Sequence, residues 1–478
     1  MLDRAQQNGV LTNTIFAISG ALILTIYTLC QFYSKSTRRY PPQGCRRLGL
    51  PTNKTNLCDE YDPKYNQGVP QDSKDEQGRP AWRVKALFTY PIKSCAGVEL
   101  GEADVVSTGF AFDRQFCFAE GETSANGEVN WTARTLRNKG FNKLALVHPE
   151  IWLPDSSAPG YKPGLEEVKS RSVMVVKYPR TGTGCNALHS AIIQAGIFLK
   201  LIPHETSFTL PLYPPENPDQ KGHPQLTRVK IWKDNPLAYN YGHYIPPSFH
   251  RFISQNTPSL SQKRENNLTI FRVNPSHPRE IYRNAPRKAD LGFQPTTGFA
   301  DAYPLHILSL SSVRDVNAHC EKDIPCLSIR RFRANVIVQG PGAFVEDDWK
   351  VIRLEPVQSV PRLSAKAQSS NGNHSAGDSG EGTVIYTACR TIRCKLPNVD
   401  PDTGHRHPSE PDRTLKSYRK IDRGDLTNAC LGMQGVPAVR GKFSLLIALW
   451  PVESSLIMMS EFDGVIMADY CRVAYSGR

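Results

Sequence analysis

The chain has 478 residues, 39% of them hydrophobic, and a formal net charge of +13 at neutral pH. This length is sufficient for two or three packed domains. The positive charge favours an anionic partner. We expect no nucleic-acid binding, because the basic residues are spread along the chain without a helix-turn-helix pattern, an RNP-like motif or a C2H2 spacing.

An uncharged apolar run extends from Thr14 to Tyr33, after an N-terminal tail at 1–13. The run is as long as the roughly 20 residues that cross a bilayer as one helix. Asp3 and Arg4 cancel in charge before it, so the chain lacks the basic start of a cleaved signal peptide. The sequence therefore predicts an uncleaved transmembrane anchor at 14–33.

The charges that follow this run predict its orientation. They are Lys35, Arg38, Arg39, Arg46 and Arg47. Because positive charge is enriched on cytoplasmic flanks, the body of the chain is expected to face the cytosol. Its 12 cysteines are then expected to be reduced thiols, and no CxxC pair indicates a zinc ribbon or a thioredoxin site.

Composition divides the next part of the chain. Residues 34–80 are rich in polar residues and proline without a sustained apolar period, which predicts a flexible linker. Short alternating runs of β-branched and aromatic residues predict a β-rich domain over 81–212, with a helix at 186–201. Residues 213–298 are dense in Pro, Asn and aromatics and are predicted to be an irregular bridging region.

A second β-rich domain is predicted over 299–440, with a helix at 311–320. A Ser- and Gly-rich insertion at 356–383 cannot bury enough apolar area to fold and is predicted to be disordered. Residues 441–478 form an atypical C-terminal tail. Two hypotheses for this tail are translation of an unremoved intron and a second membrane segment; a proline and a glutamate disfavour the second.

The densest cluster of reactive side chains lies at 386–425. Cys394 stands there between Arg393 and Lys395, and neighbouring cations favour the thiolate form that metals and electrophiles require. A buried inert cysteine is the alternative interpretation. A zinc site is a third, although the spacing fits no common zinc motif; its ligands would be Cys389, Cys394, His405 and His407.

A strand that ends in a cysteine, followed by VDPDTG and then LKSYR, resembles the molybdenum-ligand segment of MOSC-domain proteins, in particular the mitochondrial amidoxime-reducing components. The ligand in that family is the cysteine six residues before DPDTG, so the resemblance implies that Cys394 is both the metal ligand and the catalytic residue. Cys389 does not match. The resemblance also implies a β-rich α+β fold, with a MOSC-associated N-terminal β-barrel domain before a MOSC β-barrel domain.

A second motif, YPIKSCAGVEL, resembles the opening of the N-terminal domain of this family. Lys93 and Ser94 in it match residues that bind the phosphate or pterin of molybdopterin. Arg114, in FDRQF, matches an arginine of the same cradle, and Arg333, in RRFRANVIV, matches the arginine of the family's FRPN motif. These types suit the role, because lysine supplies a point charge, arginine a fork of donors and serine a hydroxyl.

The chain departs from the family at Ala302 and Tyr303, where cofactor-contacting Thr and Ser often stand. Backbone contacts are compatible with this change, but a hydroxyl contact from position 302 is lost. The remaining positions that the resemblance places near the cofactor are Ile392, Arg393 and Gln434, and also Thr132 and Arg134 in NWTARTL. A structural role is the alternative for Thr132 and Arg134.

The resemblance implies a molybdenum-molybdopterin cofactor and reduction of small N-oxygenated substrates such as amidoximes, N-hydroxylamines and N-oxides. Electrons are expected from NADH through cytochrome b5 reductase and cytochrome b5, since no Rossmann fingerprint indicates direct NADH oxidation. The implied location is the mitochondrial outer membrane, with the endoplasmic reticulum as the alternative. There are two alternative functions. One is a non-redox MOSC module that binds or transfers sulfur or the cofactor, although no PLP-dependent desulfurase sequence accompanies it here. The other is an inactive binding homologue.

Overall fold

The computed structural model describes residues 40–180, 187–215, 223–254, 267–356 and 383–438, two short strands in the C-terminal tail, and scattered positions between 16 and 28. The chain forms two units. The smaller unit comprises Met1–Arg47, Val147–His223 and His243–Asn267. The larger unit comprises Leu48–Leu146, Pro224–Gly242 and Leu268–Arg478.

Strands predominate among the described elements, which confirms the predicted β-rich α+β class. The first are β1 (Cys45–Arg47), β2 (Arg83–Thr89), β3 (Val98–Leu100), β4 (Glu102–Val106), β5 (Gly109–Phe110), β6 (Phe116–Thr123), β7 (Val129–Ala133), β8 (His148–Pro154), β9 (Val173–Pro179) and β10 (Glu205–Pro211). The next are β11 (Gln225–Lys230), β12 (Leu237–Asn240), β13 (Leu268–Val273), β14 (Arg279–Glu280), β15 (Thr296–Thr297) and β16 (Leu305–Ser309). The last are β17 (Val336–Gln339), β18 (Val351–Pro356), β19 (Thr383–Arg393), β20 (Ala429–Pro437), β21 (Phe443–Leu446) and β22 (Ser454–Met458).

The described helices are fewer than the strands. The α-helices are α1 (Glu166–Lys169), α2 (Ala187–Phe198), α3 (Pro247–Ser254), α4 (Lys288–Leu291), α5 (Leu310–Cys320) and α6 (Asp412–Tyr418). The 3-10 helices are Pro63–Tyr65, Asn142–Leu146, Gly242–Tyr244, Ile329–Phe332, Val345–Asp348 and Leu396–Asn398. The helices predicted at 186–201 and 311–320 are therefore both present, as α2 and α5.

The smaller unit is a four-stranded antiparallel sheet in the order β1-β8-β9-β10. Its packing is aromatic, since Tyr178 of β9 lies edge-on to Phe249 of α3 with ring centroids 5.0 Å apart. Tyr40 packs against Trp152 in the same way, at 5.8 Å. Edge-to-face pairs of this kind add to the stability gained from burying the rings.

The larger unit contains a closed barrel in the order β11-β12-β13-β6-β7. Its core includes Cys117, Phe271 and Phe299. Three of its strands lie inside 213–298, so the prediction of an irregular bridging region was wrong for this part of the chain. These three strands were not predicted from the sequence because they are short and separated by Pro and Asn, and because β11 pairs in parallel with the distant β7.

The second sheet of the larger unit has the order β17-β16-β20-β19-β18-β22-β2-β3, with a further pairing between β17 and β2. Helix α5 packs on it through Val313 and Val316, which share a buried cluster with Leu308 and Ile337. In this sheet β16 lies next to β20 and β20 lies next to β19, and each of these three strands contributes residues to the candidate site.

Residues from Tyr40 to Pro80 are folded, which differs from the flexible linker expected at 34–80. Leu57 and Tyr65 are buried in the core of the larger unit. Glu60 is 4% exposed, and its carboxylate accepts hydrogen bonds from the Ser328 hydroxyl at 2.8 Å and the Ile329 amide at 2.9 Å. These few buried residues are scattered through a polar segment, so its composition did not predict that it folds.

Several predictions fall largely on residues that the structure does not describe. Within the predicted anchor at 14–33, positions 16–17, 19–21, 24–25 and 27–28 are helical, and the rest lies outside the described residues. Across the described part of the chain, no helix has both the length and the apolarity to cross a membrane. The predicted disordered insertion at 356–383 also lies outside, apart from its two ends. In the tail at 441–478, β21 pairs with β4, and β22 pairs with β18 and β2.

Glu346 gives the larger unit a pH-dependent stability. The side chain is fully buried, and its carboxyl oxygen accepts hydrogen bonds from the Ser312 hydroxyl at 2.6 Å and the Ser309 amide at 3.3 Å. Burial raises the pKa of Glu346 to about 7, although the Ser312 hydrogen bond opposes this. Because the folded state holds this proton more tightly than the unfolded state, the contribution to stability is complete below the ordinary glutamate pKa of about 4.3 and is lost as the pH rises through 7.

Between pH 4 and pH 8, we expect the free energy of unfolding of the wild type to fall by about 3 kcal/mol because Glu346 ionises. Glutamine does not ionise, so this part of the fall should be absent from Glu346→Gln. Urea denaturation at several pH values measures this. Asp348→Asn is the matched control, because the Asp348 side chain is 90% exposed two residues away. A pH dependence identical in Glu346→Gln and the wild type would contradict the assignment.

Candidate functional site

A cavity of about 380 Å3 lies within the larger unit. Basic residues outnumber acidic ones in its lining. The basic residues are Lys93, Arg114, Arg137, Arg283, Arg333, Arg390 and Arg393, and the acidic residues are Asp301, Asp422 and Asp425. The lining therefore favours an anionic ligand.

Most of the residues predicted from the sequence meet in this cavity. Those that line it are Lys93, Ser94, Arg114, Ala302, Tyr303, Arg333, Ile392, Arg393, Cys394 and Gln434. They come from segments that are far apart in sequence, so their meeting is a property of the fold.

Thr132 and Arg134 do not belong to this lining. Thr132 lies in β7, where it pairs with Lys230 of β11. The Arg134 guanidinium is 2.9 Å from the Glu120 carboxylate and 3.5 Å from that of Glu122. The Arg134 charge is thus paired with these two carboxylates, which favours the structural alternative for this residue over contact with the cofactor.

Lys93 is a buried cation of the cavity. It is 5% exposed, and its Nζ donates to the Phe299 carbonyl at 2.9 Å and forms an ion pair with Asp301. Burial lowers the pKa of Lys93, and the Asp301 carboxylate opposes that shift. The pKa of Asp301 lies well below its usual range, because the Lys93 ammonium stabilises its carboxylate.

Four lining residues have left-handed backbones. They are Ser94 at φ 68°, Arg114 at φ 46°, Asn284 at φ 52° and Arg333 at φ 57°. A left-handed conformation costs a residue with a Cβ about 1–2 kcal/mol of conformational free energy. Strain of this kind concentrates at functional sites, where the surrounding contacts hold it in place.

Asn335 organises the arginines of the cavity. It is fully buried; its Nδ2 donates to the Phe88 carbonyl and to Asp113 Oδ1, each at 3.0 Å. Its Oδ1 accepts from Arg114 Nη1 at 2.8 Å, and Arg114 also donates to Asp113 Oδ2 at 2.6 Å and to the Arg333 carbonyl at 3.1 Å. The network fixes the Arg114 guanidinium and the loop that carries Arg333.

Arg333 and Arg393 retain buried donor groups without hydrogen-bond partners in the described part of the chain, namely Nη2 of Arg333 and Nε of Arg393. Burial lowers the pKa of each to about 10. The Arg333 guanidinium lies 4.3 Å from the centroid of the Tyr90 ring, and that of Arg393 lies 5.2 Å from that of Phe332. Since unpaired buried donors are costly, these two arginines fit an anionic ligand that would accept from them.

A row of polar side chains crosses the sheet beneath the cavity. His306 of β16 is in register with Gln434 of β20, which is in register with Cys389 of β19. Burial and the nearby guanidinium groups of Arg393 and Arg114 hold the pKa of His306 well below its usual value, so its imidazole is neutral.

Two cysteines reach the cavity. Cys394 directly follows β19 and Cys389 lies within that strand, and both are partly exposed. Burial raises the pKa of the Cys389 thiol to about 11, with a hydrogen bond to Tyr303 opposing the shift. Burial therefore disfavours the thiolate form of Cys389, which is the form that binds metals.

Sequence reasoning missed several lining residues, among them Asp301, Arg137 and His306. Asp301 directly precedes the Ala302–Tyr303 pair, so its position was a usable signal. His306 gave none, because a lone histidine in an apolar strand is usually a core residue.

Comparison with known proteins agrees with these motifs. The family model for the MOSC N-terminal beta barrel domain matches residues 81–158, and that for the MOSC domain matches residues 294–434. Human mitochondrial amidoxime-reducing component 1 is 30% identical over 343 residues, which cover 71% of this chain and 72% of that protein.

Other relatives match over shorter or less similar stretches. Mouse mitochondrial amidoxime-reducing component 1 is 31% identical over 124 residues, 26% of this chain and 28% of its own length. The match to several such relatives thus spans about a third of their length or less. Molybdenum cofactor sulfurase of Emericella nidulans is 24% identical over 77% of this chain and 42% of its own. Both domain matches and the extent of the human match show that the chain belongs to the MOSC-domain family that includes the mitochondrial amidoxime-reducing components.

Proposed function

We propose that this protein is a membrane-anchored molybdenum-cofactor oxidoreductase that reduces N-oxygenated substrates. The observation that carries the proposal is the cavity, which is lined by the half-buried Arg333, the buried Arg393 and the partly exposed Cys394. Each arginine has one donor atom without a partner among the described residues. The human relative, whose name denotes amidoxime reduction, supports the choice of substrate.

The residues of the cavity have distinct roles in this proposal. Lys93, Arg114 and Arg333 would bind the phosphate and pterin of molybdopterin, with Ser94 as a hydroxyl partner. Cys394 would supply a thiolate ligand to the metal. When bound, molybdenum-molybdopterin supplies two-electron redox chemistry. Asn335 and Asp113 would orient Arg114 before the cofactor arrives, because both already hydrogen-bond it.

The overall reaction consumes two electrons and two protons for each amidoxime and yields an amidine and water. We propose NADH as the electron source, with cytochrome b5 reductase and cytochrome b5 as carriers. The net charge of +13 supports an acidic electron-transfer partner, since opposite charges steer such weak encounters.

We further propose that residues 14–33 anchor the protein as a single membrane span with its body in the cytosol. The basic residues after this run and its freedom from formal charge support the arrangement. The mitochondrial outer membrane is the proposed location, with the endoplasmic reticulum as the alternative.

The test is molybdenum content by mass spectrometry and benzamidoxime reduction by the full-length protein with NADH, cytochrome b5 and its reductase. Near-stoichiometric molybdenum with turnover is expected. Folded protein without molybdenum, produced in cells that make the cofactor, would overturn the proposal.

A second candidate is a non-redox module that carries sulfur or the cofactor. The similarity to the Emericella nidulans sulfurase across 77% of the chain favours it. Molybdenum without turnover of any N-oxygenated substrate, together with release of the cofactor to an acceptor protein, would support this candidate over the first.

A further inference from the structure

Trp232 occupies the turn between β11 and β12, in the larger unit. Ile231 and Asp234 exchange backbone hydrogen bonds of 2.9 and 3.0 Å, so Trp232 and Lys233 are the central residues of this turn. Trp232 has φ 56°. Glycine is preferred at such a position, because a residue with a Cβ is disfavoured in the left-handed region. The turn itself therefore does not explain the indole.

The indole is held by two residues that line the cavity, Arg137 and Asp301. Trp232 Nε1 donates to Asp301 Oδ1 at 3.2 Å, and the Arg137 guanidinium carbon lies 3.9 Å from a Trp232 ring centroid. Asp301 is the residue that also pairs with the buried Lys93. Trp232 is thus fixed at the edge of the cavity.

Arg279 fastens this turn to the segment that precedes Asp301. Its side chain is 9% exposed, and its guanidinium lies 2.6 Å from Asp234 Oδ2. Arg279 Nη1 also donates to the carbonyls of Gly298 at 2.9 Å and Ala300 at 2.7 Å. The position of the indole relative to Asp301 is therefore set before any ligand binds.

Despite these contacts Trp232 remains 45% exposed. An indole with a guanidinium stacked on it offers a flat surface for another planar π group. The charge of Arg137 makes this surface unfavourable for a cation. The surface therefore suits a planar aromatic ligand without positive charge.

We propose that Trp232 and Arg137 form a platform that binds the planar aromatic part of an N-oxygenated substrate. The inference rests on the proposed function, and it names aryl amidoximes as the preferred substrate class. The platform holds the ring at the edge of the cavity, while the N-oxygenated group extends inward.

The first test compares kcat/KM for benzamidoxime with that for acetamidoxime, which has no ring, in the full-length, molybdenum-loaded protein. Glycine suits the backbone of position 232, so W232G is expected to fold and to lower the ratio of the two values about tenfold, mainly through KM for benzamidoxime. W232F should restore most of the ratio. L226A is the matched control, because Leu226 is 46% exposed in the same hairpin and does not line the cavity. An unchanged ratio in W232G would overturn the platform.

The second test measures benzamidoxime binding by calorimetry without an electron donor, so it does not depend on turnover. W232G is expected to bind more weakly than wild type and L226A, with equal molybdenum content in all three. Equal affinity in W232G and wild type would overturn the platform even if the protein turns over. Weaker binding in W232G, in a protein that reduces no amidoxime, would support the platform and refute the proposed function alone.

Discussion

Cys394→Ala is expected to abolish reduction of N-oxygenated substrates and to deplete the protein of molybdenum, while the fold is retained. Cys394 is partly exposed at the end of β19 and lines the cavity, so its removal opens no void in the core. Loss of an outer-shell partner of a metal ligand typically costs about 10–100-fold in metal affinity or activity, and loss of the ligand itself should exceed the upper end of that range. Molybdenum content, turnover and circular dichroism measure the three expectations.

Cys389→Ala is the matched control for this experiment. Both thiols line the same cavity, but burial raises the pKa of Cys389 to about 11 and keeps it neutral. The control should retain most of its molybdenum and its turnover. Equal losses in the two variants would refute the assignment of Cys394 as the ligand.

Asn335→Leu is expected to lower the free energy of unfolding by about 3 kcal/mol or more. The amide of Asn335 is the shared partner of Phe88, Asp113, Arg114 and the backbone of His306. Leucine has a similar size but cannot form these hydrogen bonds. Each buried group left without a partner lowers the stability by about 1–3 kcal/mol. Chemical denaturation of the full-length protein measures the loss.

Asn130→Leu is the control for this change, since Asn130 is exposed on β7. Its effect should stay within about 0.5 kcal/mol, as for most surface substitutions. Equal stability of Asn335→Leu and the wild type would show that the network does not stabilise the cavity.

Residues in short local motifs were predictable from the sequence. Lys93, Ser94 and Cys394 each lie in a distinctive stretch, and the structure brings all three to the same cavity. The ion pairs of Arg134 were not predictable in the same way, because a motif match alone does not reveal that Glu120 and Glu122 lie beside its guanidinium.

The remaining features depend on contacts between residues that are distant in sequence. The parallel pairing of β11 with β7 joins Val229 to Trp131, and no local pattern encodes such a pairing. Trp232 likewise looks like an ordinary exposed aromatic residue until the fold places it against Asp301 and Arg137. Periodicity describes one strand or helix at a time, so it could not predict either feature.

The surplus of basic residues around the cavity has a consequence for turnover under the proposed function. An amidoxime is neutral near pH 7, whereas the amidine formed from it is a strong base and takes up a proton to become a cation. In the proposed platform the Arg137 guanidinium stays beside the bound ring, and it repels a cation at that position. This charge would therefore weaken retention of the product, so reduction itself would promote its departure.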